Sequence, residues 1–170
     1  MLEKARGIKL LALDFDGVLT DNTVWVSHDG SETVRCWRGD GIGIQKLRKL
    51  GVETVILSQE GSGGIRLRAM KLGIQAHLKV DDKLELLNQI VKDKGIKLME
   101  VCYVGNDEPD IPCLEAVGMP CYPHDVQLEL PGQRLAHKGG KGAVREVCEL
   151  IVGAKRAPFE LPYSEPDYLR

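Results

Sequence analysis

Short apolar runs recur along this chain, and most are followed by a stretch with helical spacing. Residues 10–13, 52–57, 76–80, 101–104 and 119–122 each read as a buried strand, since a strand covered on both faces is apolar throughout. Residues 40–50 place Ile42, Ile44, Leu47 and Leu50 on a helix that Gly51 stops. Helices are predicted likewise over 65–72, closed by Gly73, and from the cap Asp82 to about 94, closed by Gly95. Others are predicted from near Pro109, over 126–130 and from 143 to about 151, and a last short strand at 135–137. Strands alternating with helices across short loops define an α/β chain with a doubly wound parallel sheet and helices on both faces.

One departure from this rhythm follows the first strand. Residues 23–27 and 32–37 favour strands, and His28-Asp29-Gly30-Ser31 between them is turn chemistry, so a β-hairpin flap is predicted over about 23–37. It arches over the preceding loop or pairs with another subunit. Trp25 and Trp37 on it mark a partner surface if exposed, and pack on their own domain if not.

A chain of 170 residues suits one domain, predicted over 1–156, with a proline-bearing tail extended over 157–170. A net charge of −2 gives no footprint for nucleic acid. Five cysteines without a CxxC pair read as reduced, mostly buried thiols. No run is long enough to cross a bilayer, and the first residues carry no apolar stretch of signal-peptide length. A cytoplasmic protein without membrane or nucleic-acid partners is expected.

Chemistry-bearing residues gather where the strands end. Asp14 and Asp16 follow the first strand, with Gly17 allowing a sharp turn. Ser58 ends the second, and Asn106, Asp107 and Asp110 follow the strand at 101–104. Lys83 opens a helix after Asp81-Asp82, where a cation is mildly unfavourable to the helix dipole. Ligands of open parallel sheets bind just beyond the carboxyl ends of the strands. A carboxylate pair there can hold a metal and attack an electrophile.

The order of these residues resembles the haloacid dehalogenase (HAD) superfamily of phosphatases. The resemblance implies a HAD-like, Rossmann-like fold with Asp14 as nucleophile and Asp16 as general acid and base. It gives Ser58 and Lys83 the transferring phosphoryl group, and Asn106, Asp107 and Asp110 a Mg²⁺ site shared with Asp14 and Asp16. The residue types suit that chemistry. An aspartate and a dianionic ester repel one another, and Mg²⁺ between them, held by oxygen ligands, removes the barrier. Asp14 attacks phosphorus to give an aspartyl-phosphate; Asp16 protonates the leaving alkoxide and then activates water. Ser58 and Lys83 stabilise the equatorial oxygens.

Within the superfamily, the runs 14–21, 39–44, 82–84 and 139–146, together with the hairpin, resemble small phosphatases of phosphorylated 2-keto-3-deoxy sugar acids. That group acts on octulosonate 8-phosphate or on nine-carbon 9-phosphates. It lacks a large cap domain, as does this chain, whose first insertion holds only the hairpin. The resemblance further implies a homotetramer in which hairpins meet and a neighbour closes each site. A related domain occurs behind CMP-sialate synthetases, so a weakly active or inactive tetramerisation module is the alternative. Asn106 keeps it open, because many members carry Asp there and a carboxamide brings one charge fewer to a metal. Asp14, Asp16, Ser58 and Lys83 favour an enzyme. A receiver-like phospho-acceptor has no use for Asp16 as an acid.

Three further residues bear on substrate. Glu60 lies two residues past Ser58, and Arg68 and Lys71 stand three apart on one face of the next helix. A sugar acid needs cations for its carboxylate and an acceptor for its hydroxyls. The trio also matches the nine-carbon enzymes of the group, which predicts a nonulosonate 9-phosphate over the octulosonate 8-phosphate.

Overall fold

The structure, a computed structural model, describes residues 2–157, so the tail expected over 157–170 lies outside it apart from Ala157. The strands are β1 (Leu10–Leu13), β2 (Thr20–Val26), β3 (Glu32–Cys36), β4 (Glu53–Leu57), β5 (Gln75–His77), β6 (Val101–Val104), β7 (Met119–Tyr122) and β8 (Gln133–Arg134). The helices are α1 (Leu2–Gly7), α2 (Arg38–Lys49), α3 (Gly63–Leu72), α4 (Lys83–Asp93), α5 (Ile111–Ala116) and α6 (Ala143–Arg156).

Six strands form one parallel sheet in the order β5-β4-β1-β6-β7-β8. The chain runs outward from β1 through β4 to β5, then returns to β6 on the other side of β1. That reversal opens a crevice at the carboxyl end of β1, where doubly wound folds bind ligands. The strand is buried along its length because alternate side chains serve opposite faces. Leu11 and Leu13 pack with α1, α2, α3 and α6, while Leu10 and Ala12 pack with α4 and α5. Each buried leucine or isoleucine contributes about 1.5–3 kcal/mol by leaving water.

β2 and β3 form a separate antiparallel pair whose register shifts between Thr20 and Val24. Val24, Trp25 and Val26 are exposed, Trp25 at 66%, so the hairpin stands off the sheet as an unpartnered apolar surface. It is the whole insertion between β1 and α2; no large cap is present among the described residues.

The sequence reading errs in a few places. The short helix expected over 126–130 is absent. Arg134 takes the carbonyls there instead, Nη1 donating to those of His124 and Val126 at 3.0 and 2.7 Å and Nη2 reaching that of Leu128 at 3.5 Å. Carbonyls gathered on one guanidinium cannot also bond along a helix. The last strand is Gln133–Arg134 rather than 135–137. β5 ends at His77 because Lys79 turns the chain with φ of 57°. α1 was not expected; it packs against α6, where Arg6 Nε donates to the carbonyl of Ala154.

α2 and α6 meet at Gly43. A Cβ there would come within 2.8 Å of Cys148 Cβ and 2.9 Å of Arg145 Cδ. Gly43→Ala is therefore expected to lower stability by about 1–2 kcal/mol in urea unfolding, the overpacking outweighing the helix preference of alanine. An unchanged or raised midpoint would show that these helices separate freely.

Candidate active site

The site grows from the end of β1. The amide of Asp14 still donates to the carbonyl of Val104 at 2.9 Å, so its backbone belongs to the sheet. The chain then turns tightly, the carbonyl of Phe15 accepting from the amides of Leu19 and Thr20. Thr20 Oγ1 accepts from the amides of Gly17 and Asn22 and donates to Asp16 Oδ1 at 3.4 Å, locking the loop. Gly17 has φ of 78°, and a Cβ on it would lie 2.0 Å from the side-chain nitrogen Nδ2 of Asn106. The loop after β6 thus lies directly across the loop after β1.

Lys83, the first residue of α4, is buried between these loops. Its Nζ donates to Asp14 Oδ1 and to Asp110 Oδ1, each at 2.7 Å. Asp110 is buried too. Its Oδ1 also accepts from the Tyr103 hydroxyl at 2.7 Å, and its Oδ2 accepts from the amides of Asn106 and Asp107 at 2.8 and 3.4 Å. Ser58, at the end of β4, is buried, with Oγ accepting from the amide of Glu60 at 3.1 Å.

Burial pushes the Asp14 carboxyl up to about 7, the charge of Asp110 pushes it the same way, and Lys83 works against both. Asp16, half-buried, is raised mainly by loss of water, against the hydrogen bond from Thr20. Burial alone would lower Lys83; the charges of Asp14 and Asp110 outweigh it and hold the ammonium above its ordinary range. The arrangement supplies a carboxylate at the head of the cleft, a second carboxyl that keeps a proton more readily than usual, a hydroxyl and a fixed cation.

Every residue expected to be catalytic or to hold metal lines one cleft of about 160 Å³, as does Glu60. A larger hollow of about 580 Å³ adjoins it, sharing Asn22, Asn106 and Asp107. Arg68 and Lys71 do not line the cleft of their own chain. Arg68 Nη2 donates to the carbonyl of Trp37, at the foot of the hairpin, and Lys71 is exposed. Two of the expected metal ligands are otherwise engaged: Asp110 has both oxygens on four donors, and Asp107 Oδ1 accepts from the neighbouring amide of Glu108. Sequence reasoning gave no role to Thr20 or Tyr103. Tyr103 sits in an apolar strand and reads as core; its place in the alternation, on the face shared with α4 and α5, was the available signal.

Fold and site together define a phosphoric monoester hydrolase of the haloacid dehalogenase type. No protein-family model matches the chain. It is 34% identical over 160 residues to the 3-deoxy-D-manno-octulosonate 8-phosphate phosphatase KdsC of Salmonella typhi, covering 91% of this chain and 85% of that one. It is 33% identical to N-acylneuraminate cytidylyltransferase A of Danio rerio, but spans only 37% of that longer protein. The crystal structure of the octulosonate 8-phosphate phosphatase of Moraxella catarrhalis, in complex with magnesium, phosphate and KDO, superposes with a TM-score of 0.86 at 35% identity over 91% of each chain. The chain belongs to the KdsC group of the HAD superfamily, the small phosphatases without a large cap.

Two substitutions grade the buried network. Lys83→Met leaves two buried carboxylates without their cation and is expected to cost about 3–5 kcal/mol in urea unfolding at neutral pH. Tyr103→Phe removes one of four donors from Asp110 and is expected to cost about 1–2 kcal/mol. Equal small losses from both would mean that Lys83 does not neutralise the pair.

Proposed function

We propose that the protein is a Mg²⁺-dependent phosphatase that hydrolyses the phosphate monoester of a 2-keto-3-deoxy sugar acid. The observation that carries the reading is the Lys83 bridge, which sets Asp14 at the head of the cleft with a cation 2.7 Å away. Asp14 serves as nucleophile and accepts the phosphoryl group. Asp16, raised toward its protonated form, donates to the leaving alkoxide and then takes a proton from water. Lys83 and Ser58 meet the equatorial oxygens.

The donor set fits magnesium. Among the described residues, no group of three or more His, Cys, Asp or Glu side chains could hold a metal ion. Magnesium needs no such cage, since it keeps several waters and takes one or two carboxylates plus the phosphate of the substrate. The Asp14 carboxylate, the backbone carbonyl of Asp16 and the Asn106 carboxamide lying against Gly17 would hold it. Asp110 supports the loop and Asp107 starts its helical turn. When bound, the ion neutralises the charge of the phosphate and its attacker.

The reading favours a nine-carbon acid 9-phosphate over the octulosonate 8-phosphate. Glu60 lines the cleft and accepts substrate hydroxyls. The hollow beside the cleft is acidic, with Asp21, Asp107, Glu108 and Asp125, so it repels a carboxylate and turns the far end of the substrate elsewhere. The exposed hairpin supports a homotetramer, and through it Arg68 and Lys71 reach the carboxylate in a neighbouring site. Residues 1–156 act as one catalytic domain. The cysteines of the described chain are free, which fits the reducing cytoplasm. A purely structural module would have no need of the buried Asp14–Lys83–Asp110 set.

Phosphate release over a panel of sugar-acid phosphates tests this. Activity is expected to vanish with chelator, return with Mg²⁺ and be highest on the nonulosonate 9-phosphate. Lys71→Ala is expected to cut kcat/KM for that substrate about tenfold, as loss of a charged hydrogen bond does, and to spare p-nitrophenyl phosphate. Preference for the eight-carbon acid, or equal losses on both substrates, would overturn the nine-carbon assignment.

A further inference from the structure

Among the described residues, two other than glycine have positive φ, Asn22 at 59° and Lys79 at 57°. Asn22 lies in β2 where the register of the hairpin shifts, residues 21–23 standing opposite Arg35 alone. An irregularity of this kind re-aims a side chain. The left-handed region crowds the Cβ of any residue but glycine, and asparagine is tolerated there because its side chain can bond locally. The Asn22 carboxamide makes no such bond to the described residues; only the backbone amide is engaged, donating to Thr20 Oγ1 at 3.3 Å. Glycine would make the same turn with less strain. The turn therefore does not account for the carboxamide.

Its location does. Asn22 lines both the catalytic cleft and the larger hollow beside it. Two other residues are shared by these spaces: Asn106, assigned to the metal, and Asp107, whose Oδ1 is held by the amide of Glu108. Next to Asn22, the Asp21 carboxylate is taken up by Thr23 and Arg35. Asn22 is left with a free carboxamide where one space opens into the other. It is also fixed relative to the chemistry. Thr20 Oγ1, which receives its amide, donates to Asp16 Oδ1. Asp16 is the acid that serves the leaving oxygen, so Asn22 stands on the leaving-group side of the cleft, two hydrogen bonds away.

We propose that Asn22 is a specificity-determining residue whose carboxamide binds a hydroxyl of the leaving group close to the ester oxygen. The proposal rests on the sugar-acid reading above, in which that part of the substrate is a hydroxylated chain. The charged side chains of the hollow are the carboxylates Asp21, Asp107, Glu108 and Asp125, which accept hydrogen bonds and donate none. A carboxamide does both. Asn22 Nδ2 supplies the donor that a hydroxyl oxygen needs, while the hydroxyl proton goes to Oδ1 or to a neighbouring carboxylate. Being uncharged, the group neither repels the phosphate nor competes with Lys83 for it. A phosphate ester without hydroxyls leaves the carboxamide in water and gains nothing from it.

Kinetics of the Mg²⁺-loaded enzyme on the nonulosonate 9-phosphate, the octulosonate 8-phosphate and propyl phosphate test this. All three release an alkoxide and so need Asp16, but only the sugar acids carry a hydroxyl next to the phosphorylated carbon. Asn22→Gly removes the carboxamide and suits φ of 59°. Its kcat/KM is expected to fall about fivefold on both sugar acids, through KM, as loss of one neutral hydrogen bond does. On propyl phosphate it should be unchanged. The urea midpoint should stay close to that of the unmodified protein, relief of strain offsetting the freer unfolded chain. Equal losses on all three esters would mean that the substitution acts through Asp16, and would overturn the contact. Unchanged kcat/KM on the sugar acids would overturn it as well, while the sugar-acid reading stands. If the unmodified enzyme prefers neither sugar acid to propyl phosphate, both fall.

Discussion

One ammonium group organises this molecule. Lys83 stands between Asp14 and Asp110, within 2.7 Å of each, where little water reaches. Asp14 arrives from β1, Asp110 from the loop after β6, and Lys83 from the start of α4. The interaction therefore ties together segments that lie far apart in sequence, at the point where the sheet reverses its winding. Two anions facing one cation leave an excess of negative charge, and that excess is part of what keeps the Asp14 carboxyl near neutrality. A divalent ion at Asp14 would restore the balance. The site is built short of positive charge, and a bound cation is what would supply it.

The architecture was readable because hydrophobic periodicity and burial agree. The boundaries of β6 and β7 match the apolar runs 101–104 and 119–122, and β1 matches 10–13. Asp82 caps α4 as its type and place require, accepting from the amide of Glu85 at 2.8 Å. What escaped depends on partners distant in sequence. The segment before Pro131 has helical composition, but Arg134 claims its carbonyls. Asp110 reads as one more acid in an acidic loop, and only the structure shows Tyr103 and Lys83 turned toward it. Arg68 was expected near the substrate from helical spacing and from its match to the nine-carbon enzymes. Spacing fixes which face of a helix a residue occupies, not what that face meets.

The hairpin and the helices behind the site make one system. Trp37 ends the hairpin, its carbonyl is held by Arg68, and its ring lies within 2.7 Å of where a Cβ on Gly39 would be. Asp40 follows at once and reaches α6. A flap that stands in water with its valine and tryptophan side chains exposed is anchored at its foot by charge and by close contact with bare backbone. Its tip is left to whatever surface it meets, while its base keeps the register of the helices behind the catalytic cleft.

The loop held by Arg134 borders the larger hollow with Val126, Gln127 and Leu128. Its path is set through main-chain carbonyls, and the side chains of Gln127 and Leu128 take no part in that hold, which the Glu129 carboxylate joins 3.6 Å from Arg134 Nη2. Such a wall can exchange its surface without losing its shape. Evolution, or a mutagenesis library confined to Gln127 and Leu128, can therefore explore new pocket linings while the scaffold and its chemistry are inherited intact.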